Sequence, residues 1–585
     1  MQRNAVKKWQ NSLDRHRGKK MMSNLRMPVG VSDFREIRKN GYYYTDKTEL
    51  IADILKKQEA KVTLITRPRR FGKTLGMSML ANFFDIQSDG RALFEGLKIS
   101  EYPEICEKWE NQYPVLFLTF KDVEGNTFSS AFDVLQVVIA QFCIQHAYLL
   151  DGELVDEHYK DVFRRLQNRT ASMVEVRYSI QILTKIMEQY YGKTVILLLD
   201  EYDVPLAKAS NYGYYNEMLE VLRTMMSTSL KDNSSLEFAI LTGCLRISKE
   251  SIFTGTNNFV LDTITTTGFN EYFGFTQADV DQLLAAAYVE QYADVIKEWY
   301  DGYHFGNMEI YCPWDVINYV RDIQQNPDMK PKSYWKNTSG NEIIRSFIDY
   351  AGASITKKLE VLLSGGSILQ RLDESLTYDY LHSSEDNLWS VLYLTGYLTS
   401  AASAEKNSSI PDGMTALKIP NAEVREIFES TIIKWFSDTV QTWNRKELFD
   451  AVWTGNTEIL TEEISKLLRH TISYHDYKED FYHAFLAGIF AGAGYEVESN
   501  KEHGEGRSDI VVYDTINARV AVFEAKKAES LESMSKSCQE AVKQIADRQY
   551  SRELEEDYDE VLCFGIAFYK KRCRVGRMEK NTIMR

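Results

Sequence analysis

Three runs in the first half of the chain are continuously apolar: Val62-Thr63-Leu64-Ile65, Pro114-Val115-Leu116-Phe117-Leu118-Thr119-Phe120 and Thr194-Val195-Ile196-Leu197-Leu198-Leu199. A fourth, Leu236-Glu237-Phe238-Ala239-Ile240-Leu241-Thr242-Gly243, follows. Continuous rather than alternating apolarity marks strands buried on both faces, as in parallel sheets covered by helices. Helical patterns lie between them, at Glu49–Lys56, at Leu75–Phe84 and over a long region ending near Tyr191. This alternation predicts an α/β domain with a parallel sheet over residues 27–270. From 271 to 470 the pattern becomes helices rich in Tyr and Trp, such as Gln277–Tyr288, Val295–Trp299, Trp314–Asp322 and Ala422–Val440. Asp301-Gly302-Tyr303-His304-Phe305-Gly306 and Pro411-Asp412-Gly413 read as turns within this helical connector or lid. Residues 471–585 change again: a helix from Glu479 to about Ala493, a strand at Gly494–Glu498, and a hairpin of Gly506–Tyr513 with Ala518–Lys526. A helix, Ser537–Gln549, follows, so this last section is a small second α/β domain.

The segment after the first strand carries chemistry. It reads Arg67-Pro68-Arg69-Arg70-Phe71-Gly72-Lys73-Thr74, and Leu75 opens the helix. Backbone N–H groups and the positive dipole end at a helix N-terminus attract phosphate. Lys73 would reach the β- and γ-phosphates of ATP and the Thr74 hydroxyl would ligate Mg²⁺, with Arg70 to Leu75 forming the cradle. Arg67 stands where the usual pattern has its first glycine. The third run ends in Asp200-Glu201, where an aspartate orders the Mg²⁺ shell and a glutamate polarises the attacking water. Thr242 ends the fourth run, at the place of a γ-phosphate sensor in additional-strand P-loop ATPases. Arg246 either reaches the same phosphate or is a surface arginine. Chance polar residues at a helix start and a strand end would explain either pair alone; their order and context together favour nucleotide binding.

A second constellation lies in the hairpin. Glu524 and Lys526 share one side of a strand because the side-chain period is two, and pairing brings Asp509 beside them. Two carboxylates and an ammonium on one patch suit metal-assisted phosphodiester hydrolysis. Asp509 and Glu524 would hold Mg²⁺ and Lys526 would position the nucleophile. Glu479 from the preceding helix would complete the shell, and Gln544 faces either this site or solvent. The plain alternative is the solvated face of an antiparallel strand.

Composition narrows the partners. A net charge of −15 excludes a protein coated for non-specific nucleic-acid binding, so any such contact falls to local patches such as Lys570, Lys571, Arg572, Arg574 and Arg577. The seven cysteines show no C-x-x-C spacing and read as reduced thiols of a cytoplasmic protein. The longest weakly polar run, Ala484–Gly494, is too short to span a membrane, so no membrane partner is expected. Residues 1–26 are basic without an apolar core and read as a tail or an over-called start.

Residues 27–270 resemble the AAA-ATPase-like family through Tyr44-Thr45-Asp46-Lys47-Thr48, the arginine-rich loop 67–74, Asp200-Glu201-Tyr202-Asp203 and Thr242-Gly243-Cys244-Leu245-Arg246. In that family the arginine-rich loop is usual. The C-terminal section resembles the PD-(D/E)XK nuclease domain, whose signature falls on Asp509, Glu524 and Lys526 with Glu479 as the helical acid; Ser508 stands in place of its proline. A Gln-x-x-x-Tyr signature of some relatives is not matched cleanly, since Gln544 is followed by Arg548 and the nearest tyrosine is Tyr550. The resemblance implies a P-loop ATPase with ATP and Mg²⁺, coupled to a nuclease acting on nucleic acid. It leaves open a bacterial homo-oligomer with Arg246 acting in cis or in trans. The rival reading is an ATP-driven switch whose C-terminal domain binds nucleic acid or a protein without cutting.

Overall fold

The computed structural model describes residues 25–56, 60–246, 259–335, 353–374, 376, 384–401, 410–431, 446–470, 482, 485–487, 489–490, 495–503, 506–549 and 554–578. The chain divides into two compact units. One comprises Met1–Ser339, Gln370–Thr415 and Pro420–Glu423; the other comprises Gly340–Leu369, Ala416–Ile419 and Val424–Arg585. Residues 271–470 are thus shared between the two.

In the first unit the four apolar runs become β1 (Val62–Thr66), β2 (Val115–Thr119), β3 (Val195–Asp200) and β4 (Leu236–Gly243), joined by β5 (Phe259–Asp262). All pair in parallel in the order β2-β3-β4-β1-β5. Every residue of β3 is buried, as its unbroken apolarity requires. The helix α1 (Glu49–Lys56) leads into β1, and α2 (Lys73–Phe84), α3 (Phe128–Gln145), α4 (Ser179–Tyr191) and α5 (Tyr215–Leu230) lie in the connections between strands. Leu50, Ile54, Met79, Leu80 and Phe83 pack on Ile65, Ile196, Leu198 and Ile240 of the sheet. Because β4 lies between β1 and β3, Ile65 pairs with Thr242 and Leu199 with Leu241. The polar ends of three strands meet at one edge, the usual place for a ligand in such sheets.

By length and composition α3 is long and apolar enough to cross a membrane, beyond the expectation from Ala484–Gly494. It opens on a Thr127–Ser130 capping box and buries Ala131, Leu135, Ile139 and Cys143 within its unit.

Arg67 explains how the loop dispenses with its first glycine. Its side chain is buried: Nη2 lies 2.7 Å from Asp262 Oδ2 and 3.2 Å from Asn270 Oδ1, and Nη1 donates to the Thr66 and Asp262 carbonyls. The guanidinium also lies 5.3 Å from the Phe305 ring and 5.7 Å from that of Phe273. The arginine therefore fastens the loop to β5.

The segment Asp301–Gly306, expected as a turn, instead forms a two-stranded antiparallel hairpin of Tyr303–Phe305 with Met308–Ile310. Its inward residues Tyr303 and Phe305 each lie 5.0 Å from the Phe71 ring, the first edge-on and the second tilted, a tertiary contact that a three-residue alternation does not announce. Behind it, α6 (Pro313–Gln325) buries Asp315 beside Glu423. Glu423 Oε1 accepts the Tyr334 and Trp335 N–H groups at 2.7 and 2.9 Å, whereas Glu423 Oε2 and both Asp315 oxygens are buried without a hydrogen bond among the described residues. Burial drives both carboxyls upward, and Asp315 raises Glu423 further. An acid with a raised folded-state pKa binds its proton more tightly when folded, so stability declines as pH rises past the ordinary carboxylate range. The expected decline approaches about 1.4 kcal/mol per pH unit for each proton held. Thermal melts of Asp315→Asn between pH 4 and 7 should show a flatter profile than wild type; identical slopes would remove this pair as the source.

In the second unit β6 (Glu496–His503), β7 (Gly506–Asp514), β8 (Arg519–Lys527), β9 (Glu560–Tyr569) and β10 (Arg572–Arg577) form one sheet in chain order. All neighbours are antiparallel except β8 and β9. The hairpin expected around Thr515-Ile516-Asn517 is present, and β6 outruns its expected end because β7 pairs along it as far as His503. The helices α7 (Lys446–Thr454) and α8 (Thr457–His470) contribute Leu448, Val452, Leu460, Ile464 and Leu468 to the core over Val512, Phe523, Phe564 and Ile566. On the other face α9 (Met534–Asp547) buries Met534, Cys538, Ala541 and Ile545. On β10 the exposed Arg572 and Arg574 alternate with buried Cys573 and Val575.

Candidate functional site

The phosphate-loop residues converge at the shared end of β1, β3 and β4. Gly72 caps α2 at φ +85°, a left-handed conformation suited to glycine, and open space faces it where a Cβ would stand. Thr74 Oγ1 donates to Asp200 Oδ2 at 2.8 Å, and Thr242 Oγ1 donates to Asp200 Oδ1 at 2.5 Å. Asp200 is fully buried; burial first, then the neighbouring Glu201, pushes its carboxyl up, against the two hydroxyls and Lys73. Lys73 Nζ donates to the Arg67 and Pro68 carbonyls at 3.1 Å each and lies 3.4 Å from Glu201 Oε1. Burial works against its charge, yet Cys244, Glu201, Asp200 and Asp203 together hold the ammonium above its ordinary range.

Glu201 sits at φ +52°, a conformation costing a non-glycine residue roughly 1–3 kcal/mol. Its Oε2 is buried and makes no hydrogen bond among the described residues. Two residues on, Asp203 does what its pattern did not disclose. Its Oδ2 accepts the Cys244 and Leu245 N–H groups at 3.0 and 2.9 Å, and the Tyr202 hydroxyl donates to the Leu245 carbonyl at 2.7 Å. These bonds lock the end of β3 to the end of β4.

Lys73, Thr74, Asp200, Glu201 and Thr242 are therefore within one constellation. The other loop residues are engaged differently. The Phe71 ring is buried against Tyr303 and Phe305, Arg70 lies 4.3 Å over the Trp314 ring, and Leu75 is half-buried at the start of α2. For Arg70 and Phe71 the backbone is what remains to meet a phosphate. Arg246 follows β4, with its Nε buried and without a hydrogen bond among the described residues.

In the second unit Asp509 stands next to the Ile510–Phe523 pair, and its Oδ2 accepts the Ala525 N–H at 2.8 Å. The buried Glu524 lies one residue away, with Lys526 Nζ 3.5 Å from its Oε1. Gln544 Nε2 donates to the same Glu524 oxygen, so α9 faces the site; only the packing of that helix on β8 and β9 could reveal this. Glu479 lies outside the described residues.

Both constellations fit Mg²⁺. At the first, the Thr74 hydroxyl sits on a buried carboxylate, beside the unsatisfied Glu201 oxygen. At the second, no group of three His, Cys, Asp or Glu residues converges among the described residues, but Mg²⁺ commonly takes one or two carboxylates and fills its shell with water and phosphate oxygens.

Comparison with known proteins agrees with this division. Residues 28–253 match the family model described as a predicted AAA-ATPase, and residues 477–578 match the PD-(D/E)XK nuclease superfamily. A protein of Azotobacter chroococcum mcd 1, described as "Uncharacterized protein in vnfD 5'region", is 23% identical over 559 residues, covering 94% of this chain and 97% of its own length. The five-stranded parallel sheet with its glycine–lysine–threonine loop and the mixed sheet bearing Asp509, Glu524 and Lys526 thus correspond to two recognised modules: the chain joins an AAA-ATPase-like domain to a C-terminal domain of the PD-(D/E)XK nuclease superfamily.

Proposed function

We propose that this chain is a cytoplasmic ATPase coupled to a metal-dependent nuclease that cleaves nucleic-acid phosphodiesters. The observation that carries the reading is the Asp200 carboxylate holding the Thr74 and Thr242 hydroxyls beside Lys73 and Glu201. Lys73 now rests on two loop carbonyls and Glu201, and a triphosphate on the loop offers it a more strongly charged acceptor. Glu201, directly after β3, would accept a proton from the attacking water, and Thr242 would register the γ-phosphate. Mg²⁺ held near Thr74 and Asp200 would neutralise phosphate charge. In the second domain Asp509 and Glu524 would hold the metal, and Lys526 would steady the nucleophile or a phosphate oxygen. All seven cysteines are free thiols, which suits a reducing compartment.

A second reading, an ATP-driven switch that binds without cutting, draws on one observation: only two acidic groups meet at the C-terminal site among the described residues. Purified protein incubated with labelled single- and double-stranded DNA and RNA, Mg²⁺, and with or without ATP separates the two. Cleavage supports the nuclease, and the ATP comparison gives the direction of coupling. ATP turnover without cleavage of any substrate supports the switch. Glu201→Gln should slow ATP turnover by about 10²-fold, the lower end of what a positioned general base contributes, while ATP still binds. Undiminished turnover in this variant would remove Glu201 from the chemistry.

A further inference from the structure

Beside the phosphate loop, within the first unit, lies a set of buried polar atoms that the proposed chemistry does not use. Asp315 and Glu423 are fully buried. Both Asp315 oxygens and Glu423 Oε2 make no hydrogen bond among the described residues, and neither does the Tyr303 hydroxyl. An ionised carboxylate only accepts, so these oxygens have nothing to give one another. One proton changes this, because a carboxyl O–H donates and two neighbouring acids that share it avoid facing like charges. No third His, Cys, Asp or Glu joins them as a metal-holding group among the described residues, so a proton fits the pair better than a metal ion does.

Three neighbours tie the pair to the loop. The Cys312 thiol, from the residue that caps α6, points at the Arg70 carbonyl 3.8 Å away. The Arg70 guanidinium lies 4.3 Å over the ring of Trp314, next to Asp315, and is the cation that acts on the Asp315 carboxyl. Arg70 stands at φ +75°, strained backbone for a residue other than glycine, so its place depends on what surrounds it. Tyr303, whose buried phenol neighbours both acids and Cys312, has its ring 5.0 Å from that of Phe71. On the far side Tyr300 lies within electrostatic reach of both carboxyls, with its hydroxyl already given to the Lys332 carbonyl. Burial keeps the Tyr300 and Tyr303 phenols and the Cys312 thiol protonated. Asp315 and Glu423 are therefore the groups that titrate, and Arg70 is the positive charge that faces them.

We infer that Asp315 and Glu423 hold one shared proton beside the loop, and that this proton couples nucleotide affinity to pH. The inference rests on the proposed ATP binding and adds a regulatory group to it. With the proton in place the pair carries one negative charge; without it, two. The second charge opposes the phosphates that Arg70 to Leu75 would cradle and draws the Arg70 guanidinium toward the acids. A bound triphosphate therefore favours the protonated pair and raises the pH at which the proton leaves. By linkage, affinity is greatest below the pH at which the free protein loses the proton. It falls as pH rises through that range and levels off above the range of the bound form. Burial and the mutual repulsion of the two acids place this loss above the ordinary carboxylate range.

The test is equilibrium binding of ATP, with Mg²⁺, to full-length wild type, Asp315→Asn and Glu423→Gln between about pH 5.5 and 8.5, above the ordinary carboxylate range and within what burial can reach. Each carboxamide supplies the missing donor permanently and removes one charge. In Glu423→Gln the amide oxygen can still accept the Tyr334 and Trp335 N–H groups. Protonation of ATP itself is common to all three proteins, so the difference between them isolates the pair, and thermal melts show that each variant is folded. Across the range wild type should lose about 5- to 10-fold in affinity relative to the variants, the lower end of ordinary coupling. Both variants should keep the affinity that wild type has at low pH. Calorimetry in two buffers of different ionisation enthalpy should find wild type taking up more protons on binding ATP than Asp315→Asn does. Parallel pH profiles for all three proteins, or variants fixed at the weak affinity of wild type at high pH, would overturn the coupling. If none of the three binds ATP at any pH, the ATP reading itself falls and the coupling with it.

Discussion

Asp509→Asn is expected to abolish metal-dependent cleavage, with a loss of roughly 10³-fold or more, while the domain stays folded. The amide oxygen that replaces Oδ2 can still accept the Ala525 N–H, so the contact that ties β7 to β8 at this point survives. What disappears is the negative charge that a divalent cation requires. Glu524→Gln should act alike, though it disturbs more. Glu524 is buried, accepts from Gln544 and pairs with Lys526, and a carboxamide there removes a charge that faces the ammonium. Gln544 is a positioning residue in this reading. Gln544→Ala should cost 10- to 100-fold and raise the Mg²⁺ concentration needed for half-maximal cleavage, as second-sphere losses do. If Asp509→Asn cuts at the wild-type rate, Asp509 holds no catalytic metal and the cleavage site lies elsewhere.

Arg67→Ala should destabilise the first unit by about 3–5 kcal/mol, among the largest effects a single substitution produces there. The reason is what it leaves behind. Asp262 is buried, with one oxygen bonded to Thr266 and the other to Arg67, and its counter-charge would vanish. Burial alone lowers the arginine's own pKa; Asp262 offsets part of this, which shows how closely the two depend on each other. Amide hydrogen exchange of β1 and β4 reads the effect where it arises. Arg67→Met with Asp262→Asn should recover part of the loss, because no charge is then stranded. A loss below about 1 kcal/mol for Arg67→Ala would reduce the pair to the rank of an exposed salt bridge.

These two predictions differ in how far the sequence alone could have led to them. The Asp509, Glu524 and Lys526 constellation is legible because a strand's period of two is a local rule and the hairpin turn is short. The strands themselves are legible for the same kind of reason: residues buried on both faces leave an unbroken apolar record. So is the loop, since Gly72, Lys73 and Thr74 are adjacent in the chain and a helix start is a local event.

The partner of Arg67 lies 195 residues away, and no local pattern encodes it. Neither does one encode the insertion of β4 between β1 and β3, which sets Thr242 on the Asp200 carboxylate. Gln544 remained undecided along the chain because a helix presents several faces, and only its packing on β8 and β9 chooses among them. Adjacency and periodicity thus determined the two modules and most of their chemistry. Contacts between distant segments, formed when the two cores close, decided which side chains are partners and which are walls.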